Sequence, residues 1–143
     1  MEESTILETN FILLALTKSR DLEFLLSTLA KEENIRFESV EDAEDLNGQQ
    51  PDDYIITFII GSDVEDPIQS AQRLHAVNNR AKIILITKPD NIKSLKETVK
   101  FSPFIGTNVF CLDESNEEKL EKRVKEILRD SLKAEKYRSV VEE

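Results

Sequence analysis

Continuous apolar runs alternate with amphipathic stretches along this chain, and the alternation predicts strands separated by helices. Residues 11–16 (FILLAL) are unbroken apolar sequence, as expected of a strand buried on both faces. Lys18, Ser19 and Arg20 follow as a polar turn. Leu22, Leu25, Leu26 and Leu29 then recur at helical spacing and predict an amphipathic helix over 21–32. Residues 35–40 (IRFESV) alternate apolar with polar, which suits an edge strand. Residues 41–52 offer only Ala43 and Leu46 as apolar positions, with Asn47-Gly48 and Pro51 as turn signals. A second helix there is short or absent. Residues 54–60 (YIITFII), β-branched and aromatic, carry the strongest strand signal, bounded by Pro51-Asp52-Asp53 and Gly61-Ser62.

The second half repeats the scheme. Asp66-Pro67 opens a helix, with Pro67 fitting the first helical position and Ile68, Ala71 and Leu74 facing inward. Residues 81–87 (AKIILIT) predict a fourth strand, broken by Pro89 and Asp90. A helix over 91–100 turns Ile92, Leu95 and Val99 inward, and residues 108–112 (NVFCL) give a fifth strand. Ser115 and Glu118 have the spacing of a capping box, in which two side chains satisfy orphan amides at a helix start. The last helix presents Leu120, Val124, Ile127 and Leu128. No Gly or Pro occurs from 117 to 141, so this helix is expected to run about 37 Å, and Leu132, Ala134, Tyr137 and Val140 continue its apolar positions. Strands and helices in this order imply a doubly wound α/β sandwich, with a five-stranded parallel sheet and right-handed crossovers.

Composition narrows the chemistry. The 143 residues suit one domain. Acids outnumber bases 29 to 19, and the net charge of −10 opposes binding to nucleic acid or an anionic membrane. One Cys and one His leave no disulfide framework, Cys-rich zinc site or His cluster, so no metal and no cofactor is expected. No dinucleotide or P-loop glycine motif is present. No apolar run approaches the ~18 residues of a membrane span and no signal peptide opens the chain, so a cytoplasmic protein without membrane insertion is expected. The charge is uneven. Residues 38–53 carry seven acids and no base, whereas residues 80–100 carry six bases and two acids. These stretches read either as solvated faces or as surfaces complementary to a protein partner or to a second copy in a homodimer. Cys111, inside an apolar strand, is expected to be a buried thiol. His75 is read as a surface or boundary residue. Phe101 and Phe104, around Pro103, read as core packing or a partner-facing patch.

Over about residues 10–129 the pattern resembles the receiver domain of bacterial response regulators. The resemblance is carried by the fourth strand ending in Thr87, the helix after it, Gly106, and the aromatic Phe110 in the fifth strand. It implies a flavodoxin-like sheet of order 2-1-3-4-5 with its site at the carboxyl ends of the strands. A working receiver implies an acidic pair for Mg²⁺ after the first strand, a phosphoacceptor Asp ending the third and a Lys ending the fifth. Carried onto this chain, the acidic pair falls on Thr17 and Lys18 and the phosphoacceptor on Phe58, with Thr57 beside it. The Lys falls on Asp113, and Glu114 stands where the family has Pro. Of these positions only Thr87 is retained. The resemblance therefore implies a pseudo-receiver, a non-enzymatic interaction module of two-component signalling. Asp63 and Asp66 lie five and eight residues beyond Phe58, and an extended chain would carry Asp63 roughly 16 Å past it. The surface that receivers use for dimers and outputs would here present Lys93, Lys96, Lys100 and Phe110.

The terminal string AEKYRSVVEE (134–143) resembles the opening of PAS sensor domains. It implies a receiver-like domain over 1–129 and a helical linker over 130–143. The expected setting is the front of a larger sensor, such as a PAS-containing histidine kinase or cyclase. A free-standing domain with a frayed terminal helix is the alternative. Two further functions stay open. One is a receiver with an unusual acceptor among Thr17, Thr57, Asp63 and Asp66. The other is a small-ligand module whose cleft is lined by Thr17, Ser19, Phe58 and Thr87.

Overall fold

In the computed structural model, which describes residues 11–41, 55–77, 80–100 and 109–142 (side chains as far as 135, Val77 excepted), the first apolar run is β1 (Ile12–Leu16), buried at all five positions. It is followed by α1 (Arg20–Glu32), β2 (Arg36–Val40), β3 (Ile55–Ile60), α2 (Pro67–Val77), β4 (Lys82–Thr87), a 3₁₀ turn (Pro89–Asn91), α3 (Ile92–Lys100), β5 (Val109–Asp113) and α4 (Glu117–Glu142). All strand pairs are parallel, in the order β2-β1-β3-β4-β5, so the chain has the expected flavodoxin-like α/β fold. The acidic stretch at 42–53, where the second helix was expected to be short or absent, lies outside the described residues, as do Phe101, Phe104 and Gly106.

Strand side chains alternate between faces, and the two faces build two cores. Leu13, Ala15, Ile84 and Ile86 meet α1 and α4 through Leu26, Leu29, Val124, Ile127 and Leu128. Leu14, Leu16, Ile83 and Leu85 meet α2 through Ala71 and Leu74, with Leu95 and Val99 of α3 packed alongside. β1, β3 and β4 lie inside the sheet and are covered on both faces, which is why their sequences read as unbroken apolar runs. β2 and β5 lie at the edges and are only partly covered. Cys111 on β5 is accordingly half-buried rather than buried.

Helix ends follow local chemistry. Ser19 caps α1, its hydroxyl accepting from the Leu22 N–H at 3.2 Å. Asn34, in the left-handed region at φ 61°, turns the chain into β2. The capping box expected from Ser115 and Glu118 does not form. Asn116 caps α4 instead, accepting from the Lys119 N–H at 3.0 Å. Ser115 is committed elsewhere, because both its N–H and its hydroxyl donate to Asp113, and the helix starts one residue later. Two ion pairs bind α1 to α4, Glu32 to Lys125 at 3.3 Å and Glu33 to Arg129 at 3.1 Å. The Glu32–Lys125 pair is exposed and contributes little. Arg129 grips the largely buried Glu33 carboxylate with two hydrogen bonds, above the leucine packing that joins the two helices.

α4 runs 26 residues, about 39 Å. Its packing does not stop at Arg129, since Ser131 and Leu132 are buried on the sheet. A bulge in β3 prepares that contact. Ile12 pairs with Ile55 but Leu13 pairs with Thr57, so Ile56 is an extra residue and Thr57 turns toward α4. The Thr57 hydroxyl donates to Ser131 Oγ at 3.3 Å, and Ser131 donates to the Ile127 carbonyl at 3.0 Å. Among the described residues no helix is long and apolar enough to cross a membrane.

Candidate functional site

In a sheet of this order, chemistry is expected at the carboxyl ends of the central strands. The chain leaves β1 through Thr17 and Lys18 and leaves β3 through Gly61, Ser62 and Asp63. An extended chain would take Asp63 away from the sheet. The loop turns instead, with Val64 N–H donating to the Gly61 carbonyl at 3.2 Å, and Asp63 folds back onto β1. Its carboxylate accepts from the buried Thr17 hydroxyl at 2.6 Å and from the Lys18 N–H at 2.7 Å. Thr17 Oγ1 in turn accepts from the Ser19 N–H at 3.0 Å. The distance expected for an extended chain therefore does not apply, because the turn brings Asp63 back to the β1 end.

Gly61 makes the return geometrically feasible. A β-carbon there would lie 2.5 Å from Asp63 Oδ1 and 2.7 Å from Thr17 Oγ1. Gly61→Ala is expected to break this clamp and to cost about 1–3 kcal/mol, because the buried Thr17 hydroxyl loses its acceptor. Urea unfolding measures it, and adding Asp63→Ala to Gly61→Ala should cost much less than the sum of the two.

Beside the clamp lies an open groove of about 400 Å³, bordered by Lys18, Glu41, Asp63, Glu65 and Asp66. Asp66 is already engaged as the α2 cap, accepting from the Gln69 N–H at 3.1 Å. Among the described residues no group of three or more His, Cys, Asp or Glu side chains is placed to hold a metal ion.

Phe58 does not line this edge. It is 0% exposed and sits level with Leu14 and Ile83, two residues short of the β3 end, with its ring in the core facing α2. A ligand cleft formed by Thr17, Ser19, Phe58 and Thr87 is therefore not assembled. Thr17 is buried, the Ser19 hydroxyl caps α1, and Phe58 is core.

On the other flank, Thr87 pairs in register with Asp113, and Glu114 N–H donates to the Thr87 carbonyl at 3.0 Å. The Ser115 hydroxyl and N–H hold the Asp113 carboxyl below its ordinary pKa; slight burial opposes this, and Lys96 and Lys119 reinforce it. A folded pKa below the unfolded one gives stabilisation that is present above the unfolded carboxylate value, about 3.9. That stabilisation is lost as pH falls through the folded pKa. Ser115→Ala should move the Asp113 titration, followed by carboxyl-carbon NMR, up toward the ordinary value.

The expected interaction face is divided by the sheet. Lys93, Lys96 and Lys100 are exposed on α3, which covers one face of β5. Phe110 packs on the opposite face, with the Lys82 ammonium 5.8 Å and the Arg123 guanidinium 5.7 Å from its ring centre. Lys96 and Phe110 share a shallow pocket of about 370 Å³ at the β5 edge, to which Cys111 and Arg123 also contribute. Partial burial raises the Cys111 thiol pKa, and Lys96 partly offsets it. Lys93 and Lys100 do not reach this pocket. Sequence reasoning missed Lys82 and Arg123, which no motif marks, because only strand pairing and helix docking place them beside Phe110.

Compared with known proteins, the chain matches no protein-family model and no curated protein.

Proposed function

We propose that this chain is a non-catalytic signalling module of receiver-like build, which binds a protein partner and passes the resulting change along α4. The observation that carries the reading is the clamp at the sheet's carboxyl edge. Its hydroxyl and carboxylate satisfy each other and the adjoining backbone, and the position matching a phosphoacceptor is a core phenylalanine. Such an edge holds loops in place, with its hydroxyl and carboxylate already engaged. The Thr57–Ser131 contact joins the central strand to α4, so a strain in the sheet has a direct route to that helix. A partner would act by its differential affinity for two arrangements of these elements. A multidomain sensor, with α4 leading toward a PAS-like segment, is the setting this reading favours.

Incubation with Mg²⁺ and acetyl phosphate, followed by intact-mass measurement, should leave the protein unmodified, and beryllofluoride should give no bound fluorine resonance. A stable phosphoryl adduct overturns the reading.

One observation favours a second reading, a receiver with an atypical acceptor. Asp63 is the carboxylate that the fold returns to the first strand end. The other acceptor candidates are engaged: Thr17 and Thr57 are buried and hydrogen-bonded, and Asp66 caps a helix. An adduct abolished by Asp63→Asn would establish this alternative.

A further inference from the structure

Away from the strand ends, α1 and the start of α4 run side by side and leave an open groove of about 740 Å³ between them. Its floor is apolar, formed by Leu22, Leu25 and Leu120. One wall carries Phe24, which is 74% exposed and is the large hydrophobic side chain left in solvent among the described residues. The helix pattern explains why Phe24 points outward, since Leu22, Leu25, Leu26 and Leu29 already fill the inner arc. Nothing in the core requires an aromatic ring at that place.

The rim has a single sign. Asp21, Glu114, Glu117 and Glu121 border the groove, and no cationic side chain does. Acids in the first turn of a helix are favoured by its dipole, which accounts for Asp21 and Glu117. It does not account for Glu121, one turn further along, nor for the phenylalanine between them. Lys125 and Arg129, the cations of α4 that face α1, are drawn to Glu32 and Glu33 at the far end of the helix pair. The near end keeps its negative charge.

We infer that this groove docks a cationic amphipathic helix from another protein, with apolar side chains on Leu22, Leu25 and Phe24 and with Lys or Arg side chains against Asp21, Glu117 and Glu121. An apolar trough with an exposed aromatic anchor is the form that helix-in-groove recognition takes, and charge complementarity selects the occupant. A second copy is disfavoured by the −10 charge each chain carries, and an anionic membrane is repelled by the rim. The inference rests on the proposed function for its protein partner, but it uses neither the strand-end clamp nor the β5 edge, so the peptide titration and the acetyl phosphate test fail separately.

The test uses the full chain, ¹⁵N-labelled, and a Leu/Lys peptide of about 18 residues, long enough to hold a helix, with its leucines on one face. A peptide of the same composition with its leucines dispersed is the control. Amide shifts are expected over residues 21–28 and 114–121. Phe24→Ala, at a solvent-facing position, should weaken binding about tenfold without altering the fold. The double variant Glu117→Lys/Glu121→Lys should do the same, and the dispersed peptide should bind at least about tenfold more weakly. The inference is overturned if shifts centre elsewhere, if both peptides bind alike, or if Phe24→Ala binds as the native chain does. It is equally overturned if the protein is a dimer that Phe24→Ala dissociates, since the occupant would then be a second copy.

Discussion

Replacing Phe58 with aspartate is expected to unfold the protein instead of giving it a phosphoacceptor. The ring is fully buried on β3 among Leu14, Ile83 and the residues of α2. Removing an aromatic side chain from such a core costs about 3–5 kcal/mol. A carboxylate in the space it leaves has no donor to satisfy it and adds several kcal/mol more. The sum rivals the total stability of an ordinary domain, about 5–15 kcal/mol. The damage should depend on pH. Burial raises the pKa of the new carboxyl in the folded state, so the variant is least impaired below the unfolded value of about 3.9 and worsens as pH rises above it. Far-UV circular dichroism across that range measures this. A folded variant that accepts phosphate would show that the Phe58 site opens to solvent.

Leu132→Ala should cost about 2–4 kcal/mol, although it lies where the helix could be taken for a linker. Leu132 is 7% exposed and belongs to the core beneath α1 and α4. Its exposed neighbour gives the contrast, since Lys133→Ala should change stability by no more than about 0.5 kcal/mol. Ser131 supplies a second contrast. Ser131→Ala leaves the buried Thr57 hydroxyl without its acceptor and should cost about 1–3 kcal/mol, whereas Thr57→Val removes the donor itself and should be nearly neutral. Chemical denaturation of the four variants decides the matter. If Leu132→Ala unfolds like the native chain, the packed body ends at Arg129.

The parallel sheet and its two-sided cover were legible in the sequence because they follow from burial, whereas the strand order 2-1-3-4-5 was implied only by the receiver resemblance. A strand covered on both faces must be apolar throughout, as FILLAL and YIITFII are. A helix lying on a sheet must repeat its leucines at helical spacing, as Leu22, Leu25, Leu26 and Leu29 do. Helix starts were legible to within a residue. The capping box at Ser115 failed because Asp113, at the end of β5, competes for the same serine.

By itself, then, the sequence determined the fold class, the helix faces, the absence of recognisable cofactor motifs and the acidic character of the chain, since each is set by local composition or by period. Only the tertiary structure decided which polar groups meet. Asp63 reaches Thr17 across 46 residues because the loop turns back and Gly61 leaves room for both side chains, and Thr57 reaches Ser131 across 74 because a bulge turns it toward α4. The groove beside Phe24 exists because two helices far apart in sequence lie together on one face of the sheet. Contacts of this kind depend on loop geometry and helix docking, to which no local pattern of residues corresponds.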